Sequence, residues 1–262
     1  MKNLTQRIVV TIVSRVLFST AILIAGSVSS FATEEQSAIV CRDQMPQAAR
    51  MEVARRLSTI TGLPDLTFDE QGYLRLGTGD SSAGSLTARK LLRQAISGNT
   101  SVVLEDASNR ADVVFAKVLR ASWVNKPTGS QRVFVVLIDF LDFDRIIGDR
   151  AARDSFNVGW ALLHEIDHVV NDSVDATEMG IAGPCEDHLN KMRQECHLPL
   201  RAEYFYTLFP RIQNDFKTRL VRLAFDASDP VNRKHHRYWL MWDAALVGGL
   251  PQERQLALAS KR

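Results

Sequence analysis

The chain has 262 residues, 45% of them hydrophobic, enough to bury a sizeable core as one large domain or two small ones. Its 32 basic and 30 acidic residues leave a formal charge of only +2. No dense basic patch interleaves with aromatics, which argues against nucleic acid as a partner, and there is no internal repeat.

The first 32 residues stand apart. Lys2, Arg7 and Arg15 give a basic start, and Val16 to Val28 is an apolar run interrupted by Ser19, Thr20, Gly26 and Ser27. Ser30-Phe31-Ala32 then offers small residues at the minus-three and minus-one positions of a cleavage site. This reads as a secretory signal peptide, with a retained signal anchor as the alternative. The expected product is exported, periplasmic or secreted, with no stable membrane span after leader removal. Without the leader, 29 basic residues face 30 acidic ones. Cys41 follows Ile39-Val40 and does not read as a lipidated cysteine. An oxidising compartment allows one disulfide among Cys41, Cys185 and Cys196. With 186–196 helical, Cys185 and Cys196 stand about 16 Å apart, so a bridge would use Cys41.

Residues 33–262 read as a single domain, with 33–105 an N-terminal part, 106–205 the core of the site and 206–262 a helical C-terminal part. Residues 46–60 form an amphipathic pattern that Thr61-Gly62-Leu63-Pro64 ends. Residues 65–76 suggest a short hairpin around Gly72, Gly77 to Gly84 a polar loop, and Leu86 to Ile96 a helix. Strands are expected at Ser101 to Glu105 and Asp112 to Lys117. The strongest strand signal is Arg132 to Phe140, rich in β-branched and aromatic residues.

From Asp154-Ser155, which can cap an N-terminus, to Asn171-Asp172 the chain has no proline and one glycine, Gly159. Leu162, Leu163, Ile166, Val169 and Val170 recur at the spacing of a buried helix face. Inside this run lies His164-Glu165-Ile166-Asp167-His168. Two histidines four residues apart sit about 40° apart around a helix and about 6 Å along it, so both imidazoles reach one ion. Glu165 falls about 60° from His168, on the rim of that face. There it can act as a general base rather than a ligand. The stretch matches the H-E-x-x-H pattern of the zincin metallopeptidases; the competing reading is an amphipathic helix with two solvated histidines.

Spacing alone leaves the third ligand open. Asp172 lies about 12 Å along the axis from His164, too far for a short carboxylate on a continuous helix. A metzincin places glycine at position 171 and a ligand at 174, where this chain has Asn171 and Val174. Asp175 misses that register by one, which a turn one residue longer would correct. A gluzincin takes a glutamate from a later helix, and after Gly183-Pro184 breaks the chain Glu186 opens the next helical pattern. The order of preference is Glu186, Asp175, His188, Glu178, with Glu195 also available.

The segment from Gly183 to Tyr204 resembles the block Asn-x-x-Arg-x-Glu-x-x-Leu-Pro-x-Arg-x-x-Tyr that follows H-E-x-x-H in bacterial effector-type and toxin-associated zinc peptidases. The matching residues are Asn190, Arg193, Glu195, Leu198, Pro199, Arg201 and Tyr204, while Leu189 stands where those proteins often place Glu. The resemblance covers about residues 155–205 and implies Zn2+, a zincin fold and peptide-bond hydrolysis. From the residues themselves, Tyr204 or Arg201 would stabilise an oxyanion. Against that, Arg193 and Glu195 can simply pair on a helix surface and Tyr204 can simply pack. Beyond this block Phe205 to Phe225 carries apolar residues at helical intervals around Pro210. Tyr238 to Trp242 is an aromatic cluster fit to line a pocket or, as is more common, to close a core.

The expectation is therefore an α+β, zincin-like fold, mainly helical, with a small mixed sheet packed on the H-E-x-x-H helix. Its substrate would be a protein or peptide, with His164, His168 and Glu186 holding zinc and Glu165 and Tyr204 catalytic. The alternative is a non-catalytic, zinc-stabilised binding or structural protein of the cell envelope.

Overall fold

The computed structural model describes residues 37–79, 83–121, 132–208, 220–228 and 234–248; the segment read as a signal peptide, and Pro210, lie outside them. Strand β1 (Ile39–Cys41) leads into helix α1 (Gln47–Thr61), the hairpin β2 (Thr67–Phe68) and β3 (Leu74–Arg75), and helix α2 (Leu86–Ser97). Three strands follow: β4 (Thr100–Asp106), β5 (Ala116–Ala121) and β6 (Arg132–Ile138). They assemble in the order β1-β4-β6-β5, with β1, β4 and β6 parallel and β5 antiparallel at the edge.

The parallel strands read as continuous apolar runs because both faces of the sheet are covered. Val102, Leu104, Val136 and Ile138 point into the main core, whereas Val103, Val133, Val135 and Leu137 form a smaller cluster on the opposite face. α1 ends at Gly62 in a left-handed conformation (φ 69°), its N–H bonded to Ser58 O at 2.8 Å. A Cβ there would sit 1.8 Å from Ala83 O, so only glycine fits.

Short helices α3 (Phe140–Asp144) and α4 (Arg150–Asp154) flank β7 (Ile147–Gly148) and lead to α5 (Val158–Asn171), which carries the paired histidines. Asn157 caps it, accepting from Gly159 N–H at 3.0 Å. Val158, Trp160, Leu162, Leu163, Ile166 and Val169 are all buried, seating α5 among α1, α2 and the sheet. Gly159 has a packing role that the apolar pattern did not reveal: a Cβ would lie 2.7 Å from Arg56 Cβ on α1.

After α6 (Pro184–Glu195) come β8 (Leu200–Arg201), β9 (Thr207–Leu208), β10 (Leu220–Ser228), β11 (His235–Asp243) and α7 (Ala244–Val247). Strands β7, β11, β10 and β8 form a second, antiparallel sheet, with β9 also on β10. The helical reading of 206–262 is thus corrected in the described residues, where a long hairpin dominates. Buried Val221, Leu223 and Phe225 alternate with half-exposed Leu220 and Arg222; this period of two outweighs the few apolar coincidences at helical spacing.

The architecture is α+β, with more strand than expected. The disulfide expectation is corrected too, for all three cysteines are free thiols. Cys41 is buried on β1, Cys185 opens α6 against His164, and Cys196 ends α6 with its thiol at Ile60 O. No described helix is long and apolar enough to cross a membrane.

Candidate metal centre

α5 sets His164 and His168 one turn apart with rings nearly perpendicular (85°) and their Nε2 atoms 3.1 Å from each other. Two nitrogens do not approach so closely unless something electropositive is shared between them. The opposite ring atoms explain which are free. His168 Nδ1 lies 2.7 Å from Ser173 O, a carbonyl that can only accept, so in the neutral ring Nδ1 carries the proton and Nε2 presents a lone pair. His164 Nδ1 faces Glu186 Oε2 and Cys185 Sγ, both at 3.4 Å, which places its proton there likewise.

Asp175 completes the convergence. Its Oδ1 stands 3.0 Å from His164 Nε2 and 3.3 Å from His168 Nε2, and it is buried without an aligned hydrogen-bond donor. Donor atoms bonded at about 2.0–2.2 Å to a tetrahedral ion are separated by about 3.3–3.5 Å. Two imidazole lone pairs and an orphaned carboxylate oxygen at 3.0–3.3 Å therefore fit a shared cation. The other carboxylate oxygen accepts from Tyr204 OH at 2.9 Å, and the Tyr204 ring stacks on His164 (19° between planes).

The longer turn that Asp175 needs is present. Asp172 adopts a left-handed conformation (φ 54°) that ends α5, and the chain folds back toward α6. Gly183 (φ 84°) allows the close approach, since a Cβ there would lie 2.5 Å from Ala176 N. Cys185 N–H then bonds Val174 O at 3.1 Å. Asp167 ties the two helices together, its Oδ1 2.6 Å from both Asn171 Nδ2 and His188 Nδ1. His188 is thereby committed to Asp167 and away from the convergence. Glu178 is exposed, and Glu195 binds Ser85 and Thr87 at the start of α2.

Glu186, first in the expected order of ligands, is corrected: it stands behind His164 and outside the convergence. It is fully buried, with Oε1 held by Arg193 and Oε2 by Arg201 at 2.9 Å. Its contact with His164 is at Nδ1, on the far side of the ring from Asp175. Burial pushes its pKa up, but the two guanidiniums outweigh that and hold it well below the usual carboxylate range. A carboxylate so engaged orients an imidazole and fixes its tautomer.

His164, His168, Asp175 and Cys185 make a group able to hold a metal ion. The thiol is its least suited member, because it sits at Nδ1 of His164 and burial raises its pKa to about 11. Glu165, buried beside the group, accepts from Val118 N–H of β5 at 2.9 Å. Burial raises its pKa, against the opposing pull of His164 and His168.

The metal-free histidines titrate high: burial lowers both values, but the nearby Asp175 carboxylate and the groups at each Nδ1 outweigh it and leave each above 6.5. In the metal-free protein their charge therefore contributes stability that is complete below the unfolded pKa and lost as pH rises through the folded one. A metal needs both neutral, so binding near pH 7 is expected to release protons, and release should fade as pH rises past the folded values. Calorimetric titration in buffers of different ionisation enthalpy checks this; binding enthalpies independent of buffer would contradict it.

Sequence reasoning placed His164, Glu165 and His168 together but did not find Cys185, Val118 or the Asp167–His188 tie. The Asn171-Asp172 pair, tolerant of left-handed backbone, was the available signal for the turn. Comparison of the chain with models of protein families, with curated proteins and with solved structures finds no match in any of the three.

Proposed function

We propose that the chain is an exported, zinc-dependent peptidase of zincin type. The observation that carries this reading is the convergence of His164 Nε2, His168 Nε2 and Asp175 Oδ1, with the Glu165 carboxylate beside them against an edge strand. Two imidazoles and one carboxylate are one of the three-ligand sets of catalytic zinc sites, which keep a further position open. The basic, apolar and small-residue segments of the first 32 residues support export.

His164, His168 and Asp175 would hold the zinc, which would supply Lewis acidity toward the scissile carbonyl. Glu165 takes the proton of the attacking water at its carboxylate and returns it to the leaving amine. Its depressed acidity suits both transfers. Arg193 and Arg201 hold Glu186, and Glu186 holds His164. Tyr204 fixes Asp175 through its hydroxyl, which makes it a positioning residue in this arrangement. β5, paired only with β6 among the described residues, has Val118 N–H on Glu165 and offers the rest of its outer edge to an extended peptide.

A structural zinc site in a non-catalytic envelope protein is the second reading, favoured by Cys185 as a fourth neighbour. Protein purified from its host, dialysed against a weak chelator, is expected to hold about one zinc per chain and to cleave members of a broad peptide library until a strong chelator is added. A folded, metal-free product would sink both readings. A loaded protein that cuts nothing would favour the second.

A further inference from the structure

A cavity of about 250 Å³ opens beside His164 and Glu165 and runs between α5 and the second sheet. Phe115, Phe156, Trp160, Tyr206, Leu223 and Trp242 are among its walls. The rings brace one another: Phe115 meets Phe156 at 5.0 Å and Trp242 at 5.1 Å edge to face, and Tyr206 meets Trp242 at 5.4 Å. The cavity is thus held open by aromatic contacts that need no ligand. Away from the His164 and Glu165 end, its charged lining residues are consumed by each other, Glu186 pairing with Arg193 and Arg201. Arg193 also lies over Trp160, 5.1 Å from the ring centre. An anionic guest would find both arginines already paired, whereas a neutral ring would find apolar walls beyond Glu165. Size agrees, since an apolar cavity of about 150 Å³ holds benzene.

The cavity is continuous with the edge that a peptide would use. Val114, Phe115 and Ala116 line it, and Ala116 begins β5. A strand laid along β5 turns alternate side chains to one face, so one of them meets the opening next to Glu165. Ala161, one turn before His164 on α5, keeps the entrance clear.

We propose that this cavity receives an aromatic side chain of the peptide substrate adjacent to the cleaved bond, an inference that rests on the peptidase reading. Titrating N-acetyl-phenylalaninamide and N-acetyl-alaninamide into the metal-free protein, followed by tryptophan fluorescence, tests the cavity without requiring turnover. The phenylalanine probe should bind roughly tenfold to hundredfold tighter, the effect of burying one such side chain. Ala161→Phe should abolish that difference, and Leu223→Trp, filling from the opposite wall, serves if the first variant does not fold. With loaded wild type, a peptide library should show the same preference beside the cut. Equal binding of the two probes to wild type overturns the proposal, as does cleavage indifferent to aromatic residues. Selective binding of the phenylalanine probe with no peptide cleaved keeps the ligand class of the cavity and overturns the peptidase reading instead.

Discussion

Glu165→Gln is expected to lower peptide hydrolysis by roughly 100-fold to 10,000-fold, the usual contribution of a general base, with metal content unchanged. Glutamine keeps an oxygen that can accept from Val118 N–H, so the side chain should hold its place against β5. It cannot take a proton from water. Stability should not fall, because an uncharged amide removes the desolvation that raises the Glu165 pKa. Measuring kcat/KM alongside zinc content separates this from metal loss, for which His164→Ala is the control. Equal turnover by wild type and Glu165→Gln would show that the proton goes elsewhere.

Glu186→Ala is expected to destabilise the metal-free protein by about 3–5 kcal/mol, the cost of stripping one partner from a buried ion pair. Arg193 is 1% exposed and, among the described residues, would keep only Asn190 Oδ1 and Ser155 O as hydrogen-bond acceptors. Arg201 would lose its 2.9 Å carboxylate contact. Had Glu186 been a metal ligand alone, its loss would weaken metal binding and leave the metal-free fold almost intact. Urea unfolding without metal distinguishes the two roles. A change below 1 kcal/mol would return Glu186 to the ligand set.

Much of this was legible because the relevant information is local. The helix bearing His164 and His168 announces itself through apolar spacing, although its cap is Asn157 and the expected Asp154-Ser155 closes the short helix before it, and β6 through its β-branched and aromatic run. Asp175 was harder, since its placement depends on one left-handed residue, Asp172, and on the close approach permitted by Gly183. Neither is visible as periodicity. Glu186 was misassigned because a carboxylate opening the next helix looks the same whether it meets a metal or two arginines more than six residues away in sequence. The C-terminal hairpin was missed where aromatic and apolar residues satisfied two periods at once. In the block from Asn190 to Tyr204, the residues turn out to share one task. Asn190 clamps β8 through Arg201 N–H and O, Arg193 and Arg201 seat Glu186, Glu195 anchors α2, and Tyr204 holds Asp175.

The three converging donors differ in how firmly each is mounted. His164 and His168 ride on a helix packed into the main core, whereas Asp175 comes from the segment between Asp172 and Gly183, where Val174, Met179 and Ile181 lie exposed. Such a segment opens locally at far less free energy than the domain unfolds. The residence time of a bound ion would then be governed by fluctuations of one loop, and a chelator would extract it from molecules whose sheets are still intact.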